Sequence, residues 1–298
     1  MIFTKSVLVS AAALLAAGGA LGADLAFDAE GSAGAYRFDT GLLTGVLRAE
    51  GASIGLMPVV VSASGTDLSA SPGLFNYYRV FAGEKRFMPD LRSRVSTAKR
   101  LDDGSLEVTW PAAEGHPYTM TATYTWRAPG TLDLATTVTA HAGLPDFEVF
   151  LSSYLTEPFP VTSVYVAEPK GFATAEEASG TWQMYPRDDV GAALVRDGRW
   201  AVDPNAVDWQ QPGRLAAPLA FRRDPASGVT VAVMAPAGDC FAVSTPCRDE
   251  PHRSMYLSLF GRDLEPGETA TAHARLLVGV DLTEEALVEA YAAYAREH

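Results

Sequence analysis

The sequence has few of the residues that common catalytic and metal-binding motifs require. Its 298 residues include only two cysteines and five histidines, and the histidines are scattered along the chain. It contains no P-loop, no glycine fingerprint of a dinucleotide-binding fold and no H-E-x-x-H pair. Two cysteines without paired histidines nearby also make a poor zinc site. We therefore predict no metal and no cofactor, and any catalytic site must be assembled entirely by folding.

Positive charge is also scarce. The chain has 23 lysines and arginines against 36 aspartates and glutamates, which gives a formal net charge of −13. No basic cluster offsets this charge locally, so the sequence argues against nucleic acid and anionic membrane surfaces as partners. An anionic ligand would need arginines that the fold places together.

Long hydrophobic runs are absent beyond the N-terminus. The chain begins with a short stretch containing Lys5, followed by an apolar run over 7–17 and small residues to Ala23. The run is shorter than the roughly 20 apolar residues that span a bilayer, and the pattern is typical of a secretory signal. We predict a signal peptide at 1–23 and a secreted or periplasmic domain at 24–298 that does not insert into a membrane.

The two cysteines, Cys240 and Cys247, are seven positions apart. In an exported protein this spacing is compatible with a disulfide that closes a small loop. Two buried thiols are the alternative, and the spacing alone does not decide between them.

Alternation with a period of two dominates the middle of the chain. Apolar residues alternate with threonine from Met120 to Trp126, and the alternation resumes from Leu132 to Val138 and again from Phe147. This pattern, interrupted by glycine and proline, is typical of antiparallel strands with one buried face. We predict three consecutive strands that form a meander, which is one half of a β-sandwich.

The flanking sequence supplies the other half and a single convincing helix. The helix is predicted over 281–296, where Asp281 or Thr283 caps its start and Leu287, Tyr291 and Tyr294 share one face. Further strands are predicted at 74–83, 106–110, 163–167, 219–221, 229–234, 240–244, 255–260 and 269–278.

Periodicity is lost over 168–218. Three of the five tryptophans lie there, and so many aromatic residues argue against disorder. One interpretation is a hydrophobic cluster that covers an end of the sandwich. The other is an aromatic wall of a binding cleft, built from Trp182, Tyr185, Arg187, Trp200 and Trp209.

Three segments, in order, resemble the galactose mutarotase (aldose 1-epimerase) superfamily. The stretch 118–154 resembles the central strands of that family. The stretch 77–83, Y-Y-R-V-F-A-G, is similar to the strand whose arginine contacts the sugar, and Arg79 holds the corresponding place. The stretch 247–252, C-R-D-E-P-H, resembles the segment of the catalytic glutamate, here Glu250, and the turn at 264–268 follows it.

The resemblance implies an all-β fold, a large antiparallel β-supersandwich of the galactose mutarotase-like type with one C-terminal α-helix. It departs from the family at the general acid, a histidine whose place is taken here by Ser152 or Ser153. A serine hydroxyl cannot serve as that acid near neutral pH. An ordinary mutarotase is therefore disfavoured, unless His116 or His252 takes over the role in space.

The fold that the resemblance implies also serves polysaccharide lyases, which use a tyrosine or histidine base and arginines that neutralise a uronate, and glycosidase accessory domains. We predict an exported carbohydrate-binding or accessory protein that binds a saccharide or polysaccharide on the concave face of a sheet. The alternative is an epimerase-like or lyase-like enzyme, with Glu250 and His252 as the candidate catalytic residues; a purely structural envelope protein is a third possibility. The candidate substrate-binding residues are Arg79, Tyr78, Tyr154, Trp182, Tyr185, Arg187 and Trp209.

Overall fold

The structure is a computed structural model that describes residues 25–29, 34–52, 55–175, 182–247 and 251–298. The predicted signal peptide at 1–23 and the candidate catalytic residue Glu250 lie outside the described residues.

The described residues are mostly β-strand. Numbered along the chain, the first ten strands are β1 (Asp28–Ala29), β2 (Ala35–Asp39), β3 (Leu43–Arg48), β4 (Gly51–Ala52), β5 (Gly55–Val61), β6 (Asn76–Ala82), β7 (Lys85–Arg86), β8 (Val95–Arg100), β9 (Leu106–Trp110) and β10 (Tyr118–Ala128). The next ten are β11 (Thr131–Ala140), β12 (Leu144–Tyr154), β13 (Thr162–Ala167), β14 (Lys170–Thr174), β15 (Trp182–Pro186), β16 (Leu215–Arg223), β17 (Val229–Met234), β18 (Cys240–Pro246), β19 (Ser254–Leu264) and β20 (Thr269–Val280). The α-helices are α1 (Asp189–Val195) and α2 (Glu284–Ala295).

Two large antiparallel sheets enclose the main core. One has ten strands in the order β14-β13-β16-β17-β20-β11-β10-β9-β8-β4, and the other has six in the order β15-β18-β19-β12-β6-β7. Trp110, Met120 and Tyr124 from the first sheet share one buried cluster with Val149 and Leu257 from the second. A smaller sheet, β1-β2-β3-β5, contributes to the same cluster. The predicted all-β sandwich is confirmed.

In β10 and β11 the alternation of the sequence corresponds to antiparallel strands with one buried face, as predicted. These strands pair in register, with Met120 opposite Val138 and Tyr124 opposite Leu134, and all four side chains are buried. The intervening residues, threonine in most positions, are partly exposed on the other side of the sheet. Burial of one face and hydration of the other produces the period of two.

The third strand of the predicted meander lies elsewhere, so that part of the prediction is wrong. Strand β12 does not pair with β11 but joins β6 and β19 in the six-stranded sheet. Both of its faces are covered: Val149 and Leu151 pack in the main core, whereas Phe150 packs in a second cluster on the far side. A strand covered on both faces does not alternate cleanly between apolar and polar residues, and this difference from β10 and β11 marks its change of sheet.

The C-terminal helix is confirmed, and its cap is Thr283, whose hydroxyl oxygen accepts a hydrogen bond from the Ala286 amide at 3.1 Å. Leu287 and Tyr294 are buried in a cluster with residues of β16 and β17, such as Phe221. The helix therefore packs on the outside of the ten-stranded sheet. None of the described helices is long and apolar enough to cross a membrane.

A second helix, α1, corrects the prediction of a single helix. It lies in the stretch 168–218, which also contains β14 and β15. The Asp188 carboxylate caps it by accepting a hydrogen bond from the Gly191 amide at 2.8 Å. A Cβ at Gly191 would lie 2.8 Å from the Phe241 carbonyl oxygen, so this side of the helix packs directly on β18. A helix of seven residues depends on such packing rather than on a sequence pattern that can be recognised.

Cys240 and Cys247 are both buried and carry free thiols, so they match the alternative of two buried thiols. Burial raises the pKa of the Cys240 thiol to about 12. At neutral pH this thiol is protonated, and a protonated thiol is a poor nucleophile.

Candidate functional site

A cavity lies on the face of the six-stranded sheet that points away from the main core, which we call the outer face. Its volume is about 350 Å³, near the lower end of the range of roughly 300–1,000 Å³ typical of small-molecule sites. It is lined by Tyr78, Arg79, Phe150, Tyr154, Trp182, Trp200, Asn205, Ala206, Val207, Trp209, His252 and Tyr256.

A β-bulge in β6 brings two side chains to this cavity. Arg79 pairs with Phe150 of β12, and Tyr77 pairs with the next residue, Leu151, so Tyr78 is an extra residue in β6. Tyr77 points into the main core, where its hydroxyl group is 2.6 Å from that of Thr136. The extra residue lets both Tyr78 and Arg79 line the cavity, in keeping with the tendency of bulges to redirect side chains near functional sites.

Strands β12 and β19 supply the floor. The rings of Phe150 and Tyr256 stack with their centroids 4.7 Å apart and their planes at 18°. A chain of hydroxyl groups runs along the floor: Ser254 donates to Tyr256 at 2.7 Å, and Tyr256 donates to Tyr154 at 3.2 Å. Because the Tyr154 hydroxyl oxygen accepts this bond, its own proton can be donated towards the cavity. Burial raises the pKa of Tyr154, so the phenol keeps that proton at neutral pH.

Residues 197–209, which we call the covering segment, form one wall with Trp182 of β15. Trp200 packs on Phe150 with ring centroids 4.7 Å apart and on Trp209 at 5.2 Å. Trp182 lies 5.8 Å from Trp209, with the two ring planes nearly perpendicular. Trp200 and Trp209 are buried, whereas Trp182 is only partly buried. The tryptophans cover the outer face of the sheet and also line a cavity, and that this cavity binds a ligand stays a prediction.

A fully buried ion pair fixes the start of the covering segment to the sheet. The Arg199 guanidinium donates to the Glu148 carboxylate at 3.0 Å, and both side chains are 0% exposed. The same guanidinium also donates to the Asp146 carbonyl oxygen and to the Asp197 carboxylate. This pairing sets the position of the neighbouring Trp200 over the floor.

Arg79 is buried without a counter-charge. It is 2% exposed, and its guanidinium carbon lies 5.0 Å from the ring centroids of both Tyr78 and Trp200. Its single hydrogen bond runs from Nη2 to the Asn205 carbonyl oxygen at 2.7 Å, and Nε and Nη1 have no partner. No carboxylate of the described residues lies within ion-pair distance of it. Such an arrangement is unusual, because buried charges are normally paired.

A second guanidinium lies beside the cavity lining. The Arg92 guanidinium carbon lies 4.4 Å from the centroid of the Tyr78 ring, and its side chain is partly exposed. The His252 ring lies 5.7 Å from Trp182 and 6.3 Å from Tyr154. Among the described residues of the lining there is no aspartate or glutamate. No group of three potential metal ligands was found within the described part of the chain.

The cavity brings together six of the nine candidate catalytic and substrate-binding residues. They are Tyr78, Arg79, Tyr154, Trp182, Trp209 and His252.

Two other candidates lie outside this lining. Tyr185 points into the main core, because alternate residues of β15 face opposite sides of the sheet. Its hydroxyl group donates a hydrogen bond to the side chain of Gln183. Arg187, just after β15, pairs with Asp188 at 2.7 Å and donates to the Ala237 carbonyl oxygen. Glu250 falls outside the described residues.

Sequence reasoning missed the floor of the cavity. Phe150 and Tyr256 were assigned to strands but not to a site, and Asn205 was not singled out at all. The continuous run of buried residues in β12 was the available signal, because it shows that the strand is covered on both faces. Nothing in the sequence indicated that the Asn205 carbonyl would meet Arg79.

No protein-family model matches this chain, and no curated protein matches it in sequence. Solved structures do match. A galactose mutarotase-related enzyme from Lactobacillus acidophilus aligns with a TM-score of 0.54 and 10% identity over 84% of this chain and 99% of its own. A protein from Synechocystis sp. PCC 6803 aligns with a TM-score of 0.52 and 10% identity over 83% of this chain and 96% of its own.

A third match is longer than this chain. The α-N-acetylgalactosaminidase NagBb from Bifidobacterium bifidum aligns with a TM-score of 0.51 and 12% identity over 89% of this chain and 38% of its own. At such low identities these matches show the fold alone. The chain has the galactose mutarotase-like fold, and the predicted resemblance is confirmed at that level.

Proposed function

We propose that this chain is an exported carbohydrate-binding protein that holds a saccharide, free or as part of a polysaccharide, in the cavity on the outer face. The convergence of aromatic rings and hydrogen-bonding groups in one cavity carries the proposal. The C–H faces of a sugar ring pack on aromatic side chains, while its hydroxyl groups need donors and acceptors at defined positions. The galactose mutarotase-like fold, found also in carbohydrate-active enzymes, agrees with this proposal.

Individual residues divide these tasks. Trp182 is partly exposed at the cavity wall, and its ring offers an apolar face. The Tyr154 hydroxyl is oriented by Tyr256 and donates towards the cavity. Phe150 and Tyr256 form a flat apolar floor, and the Arg199–Glu148 ion pair holds the covering segment in place. A cavity built before the ligand arrives loses less conformational entropy on binding.

We place binding ahead of catalysis because of the state of Tyr154, Ser152 and Ser153. Of the two candidate catalytic residues, His252 lines the cavity and Glu250 lies outside the described residues. An epimerase or lyase needs a proton donor and a proton acceptor within reach of the sugar. Burial raises the pKa of Tyr154, which makes its phenol a poor base near neutral pH. Ser152, a candidate for the family's histidine position, is buried and donates to the Asn76 carbonyl oxygen at 2.9 Å. Ser153, the other candidate, accepts a hydrogen bond from the Phe75 amide.

The proposal is tested by screening the protein, expressed as 24–298, against a glycan array and measuring positive ligands by calorimetry. Trp182→Ala should weaken binding by about tenfold or more, since the buried area of a large apolar side chain is worth roughly 1.5–3 kcal/mol. Tyr154→Phe should weaken binding less, because it removes one hydrogen bond and leaves the ring in place.

Tyr165→Phe is the matched control. Tyr165 lies on β13 in the ten-stranded sheet, where its ring packs against Phe172 and away from the cavity. The Tyr165→Phe variant should bind the ligand with the same affinity as the unmodified protein. Absence of binding across the array, or equal affinities for Trp182→Ala and Tyr165→Phe, would contradict the proposal. Accumulation of cleaved or epimerised product would identify an enzyme instead.

A further inference from the structure

Arg79 has fewer hydrogen-bond acceptors than three other buried arginines, Arg86, Arg199 and Arg222. Arg94 is more like Arg79, since it donates to one carbonyl oxygen and its Nη1 has no partner. Arg86, on the neighbouring strand β7, pairs with Asp90 at 2.7 Å and donates to the Pro204 carbonyl oxygen. Arg199 has two carboxylate partners. Arg222 has no carboxylate, yet four oxygen acceptors surround it. The Arg79 guanidinium has one carbonyl acceptor, and two of its nitrogens have none.

A buried cation in this state is costly. Removing a charge from water without a counter-charge is unfavourable, and each unpaired donor adds its own desolvation cost. The aromatic faces of Tyr78 and Trp200 offset part of this cost by cation–π contacts. They do not supply acceptors for Nε and Nη1. An anion that enters the cavity would supply the missing charge and a charge-assisted acceptor for the guanidinium.

The surroundings favour an anion as well. Arg92 lies over the ring of Tyr78 and has no ion-pair partner among the described residues, so two guanidinium groups flank one ring of the cavity lining. The described lining carries no carboxylate to compete with a ligand. This concentration of positive charge stands out in a chain whose net charge is −13.

We infer that the saccharide bound here is an anionic one, and that Arg79 and Arg92 bind its charged substituent, a carboxylate or a sulfate ester. The inference rests on the proposed function, since it names the class of saccharide that the cavity takes. A neutral sugar hydroxyl accepts hydrogen bonds but leaves the buried charge uncompensated. Hydrogen bonds from a guanidinium to a carboxylate or sulfate are charge-assisted and roughly twice as strong.

The covering segment controls access to Arg79. The Arg79 nitrogens Nε and Nη1 are shielded from solvent, and Nη2 donates a hydrogen bond to the Asn205 carbonyl oxygen. Asn205 itself is exposed and has a backbone φ of 63°, in the left-handed region. An anion therefore reaches Nη2 of the guanidinium by displacing this carbonyl, which a charged acceptor can do because it binds the guanidinium more strongly than a neutral carbonyl does.

The test compares charged and neutral forms of the same sugars. The probes are trimers of galacturonate, glucuronate and mannuronate, each with its carboxyl-reduced neutral counterpart, and a sulfated hexosamine disaccharide with its desulfated form. At least one acidic probe should bind about tenfold or more tightly than its neutral counterpart, since one hydrogen bond to a charged group changes the affinity by about that factor. Added salt should weaken that binding. Whether the carboxylate or the sulfate probe binds tells which anion the site takes.

The variants are Arg79→Gln, Arg92→Gln and the control Arg127→Gln. Arg127 is exposed on β10 of the other sheet, where it pairs with Asp133. The first two should each lose about tenfold or more of the affinity for the acidic probe and little for its neutral form. Arg92 is partly exposed, so its variant folds even where Arg79→Gln disturbs the buried layer.

The outcomes separate the inference from the proposed function. Equal binding of acidic and neutral probes, with Arg92→Gln indistinguishable from Arg127→Gln, would overturn the inference and leave saccharide binding intact. Failure of every saccharide to bind, charged or neutral, would overturn both. Selective loss of the acidic probe in Arg79→Gln and Arg92→Gln supports the inference.

Discussion

The two faces of the six-stranded sheet are built from the same strands and have opposite character. The inner face presents aliphatic side chains such as Val80, Val149 and Leu151 to the main core. The outer face presents Phe150 and Tyr256 from the adjoining positions, beneath the tryptophans of the covering segment. The inner face resembles an ordinary protein interior, whereas the outer face combines large aromatic rings with charged and polar groups.

Buried polar groups make the contrast sharper. On the outer face, Asn76, Arg79 and Ser244 each have a buried side-chain atom without a hydrogen-bond partner. Tyr77, on the inner face, has its hydroxyl group paired with Thr136. Unpaired buried groups lower stability and are retained where function needs them. The inner face of this sheet is therefore packed as an ordinary core, while the unpaired buried groups of the outer face lower its contribution to stability.

The largest predicted effect removes the ion pair that holds the outer layer together. Arg199→Met leaves Glu148 buried without a partner and should lower the free energy of unfolding by about 3–5 kcal/mol, as measured by urea denaturation. The double variant Arg199→Met with Glu148→Gln should recover part of this loss, because no buried charge remains there. A double variant less stable than the single one would show that the outer layer depends on the pair for more than charge balance.

A second pair of substitutions separates the two faces directly. Leu151→Ala, on the inner face, should lower the free energy of unfolding by about 2–5 kcal/mol through the cavity it creates, with ligand affinity unchanged. Tyr154→Phe, on the outer face, should lower the free energy of unfolding by about 1–3 kcal/mol, because it leaves the buried Tyr256 hydroxyl without its acceptor, and should weaken binding. Denaturation and calorimetry on both variants check this. Weaker ligand binding in Leu151→Ala would remove the division between the faces.

The last predicted effect is a loss of stability that appears only in alkaline solution. Burial raises the pKa of Tyr185 from its ordinary value of 10.0 to about 12. Because the folded pKa is the higher one, the contribution of this phenol to stability is complete below pH 10 and is lost as the pH rises through about 12. Tyr185→Phe should lose less stability than the unmodified protein over this interval, as followed by urea denaturation. Parallel curves for the two proteins would contradict the assignment.

Much of the fold was predictable because it depends on local patterns. The alternation in β10 and β11 gave the strands and their buried faces, since each has one covered side. The cap and the apolar face of α2 were also predictable from the sequence, from Thr283, Leu287 and Tyr294. Strand β12 was placed in the wrong sheet, because sequence order suggests pairing with the preceding strand and its break at Gly143 looks like an ordinary turn.

The candidate site was only partly predictable. Arg79, Tyr154 and Trp182 were identified as candidates from residue type and resemblance, and the fold places them around one cavity. Tyr185 shares β15 with Trp182, yet its side chain points to the opposite side of the sheet. The bulge that brings Tyr78 and Arg79 to the same cavity depends on how β6 pairs with β12, and such a register is not encoded in either strand alone.

By itself, the sequence determined the strands, the C-terminal helix and the supply of aromatic and basic residues, because these follow from spacing and composition. The tertiary structure alone decided which sheet β12 joins and which side chains share a cavity. It also decided that Arg79 would be buried against one carbonyl oxygen, with no carboxylate of the described residues paired with it. These outcomes depend on pairing between segments that are distant along the chain, where no local pattern records the partner.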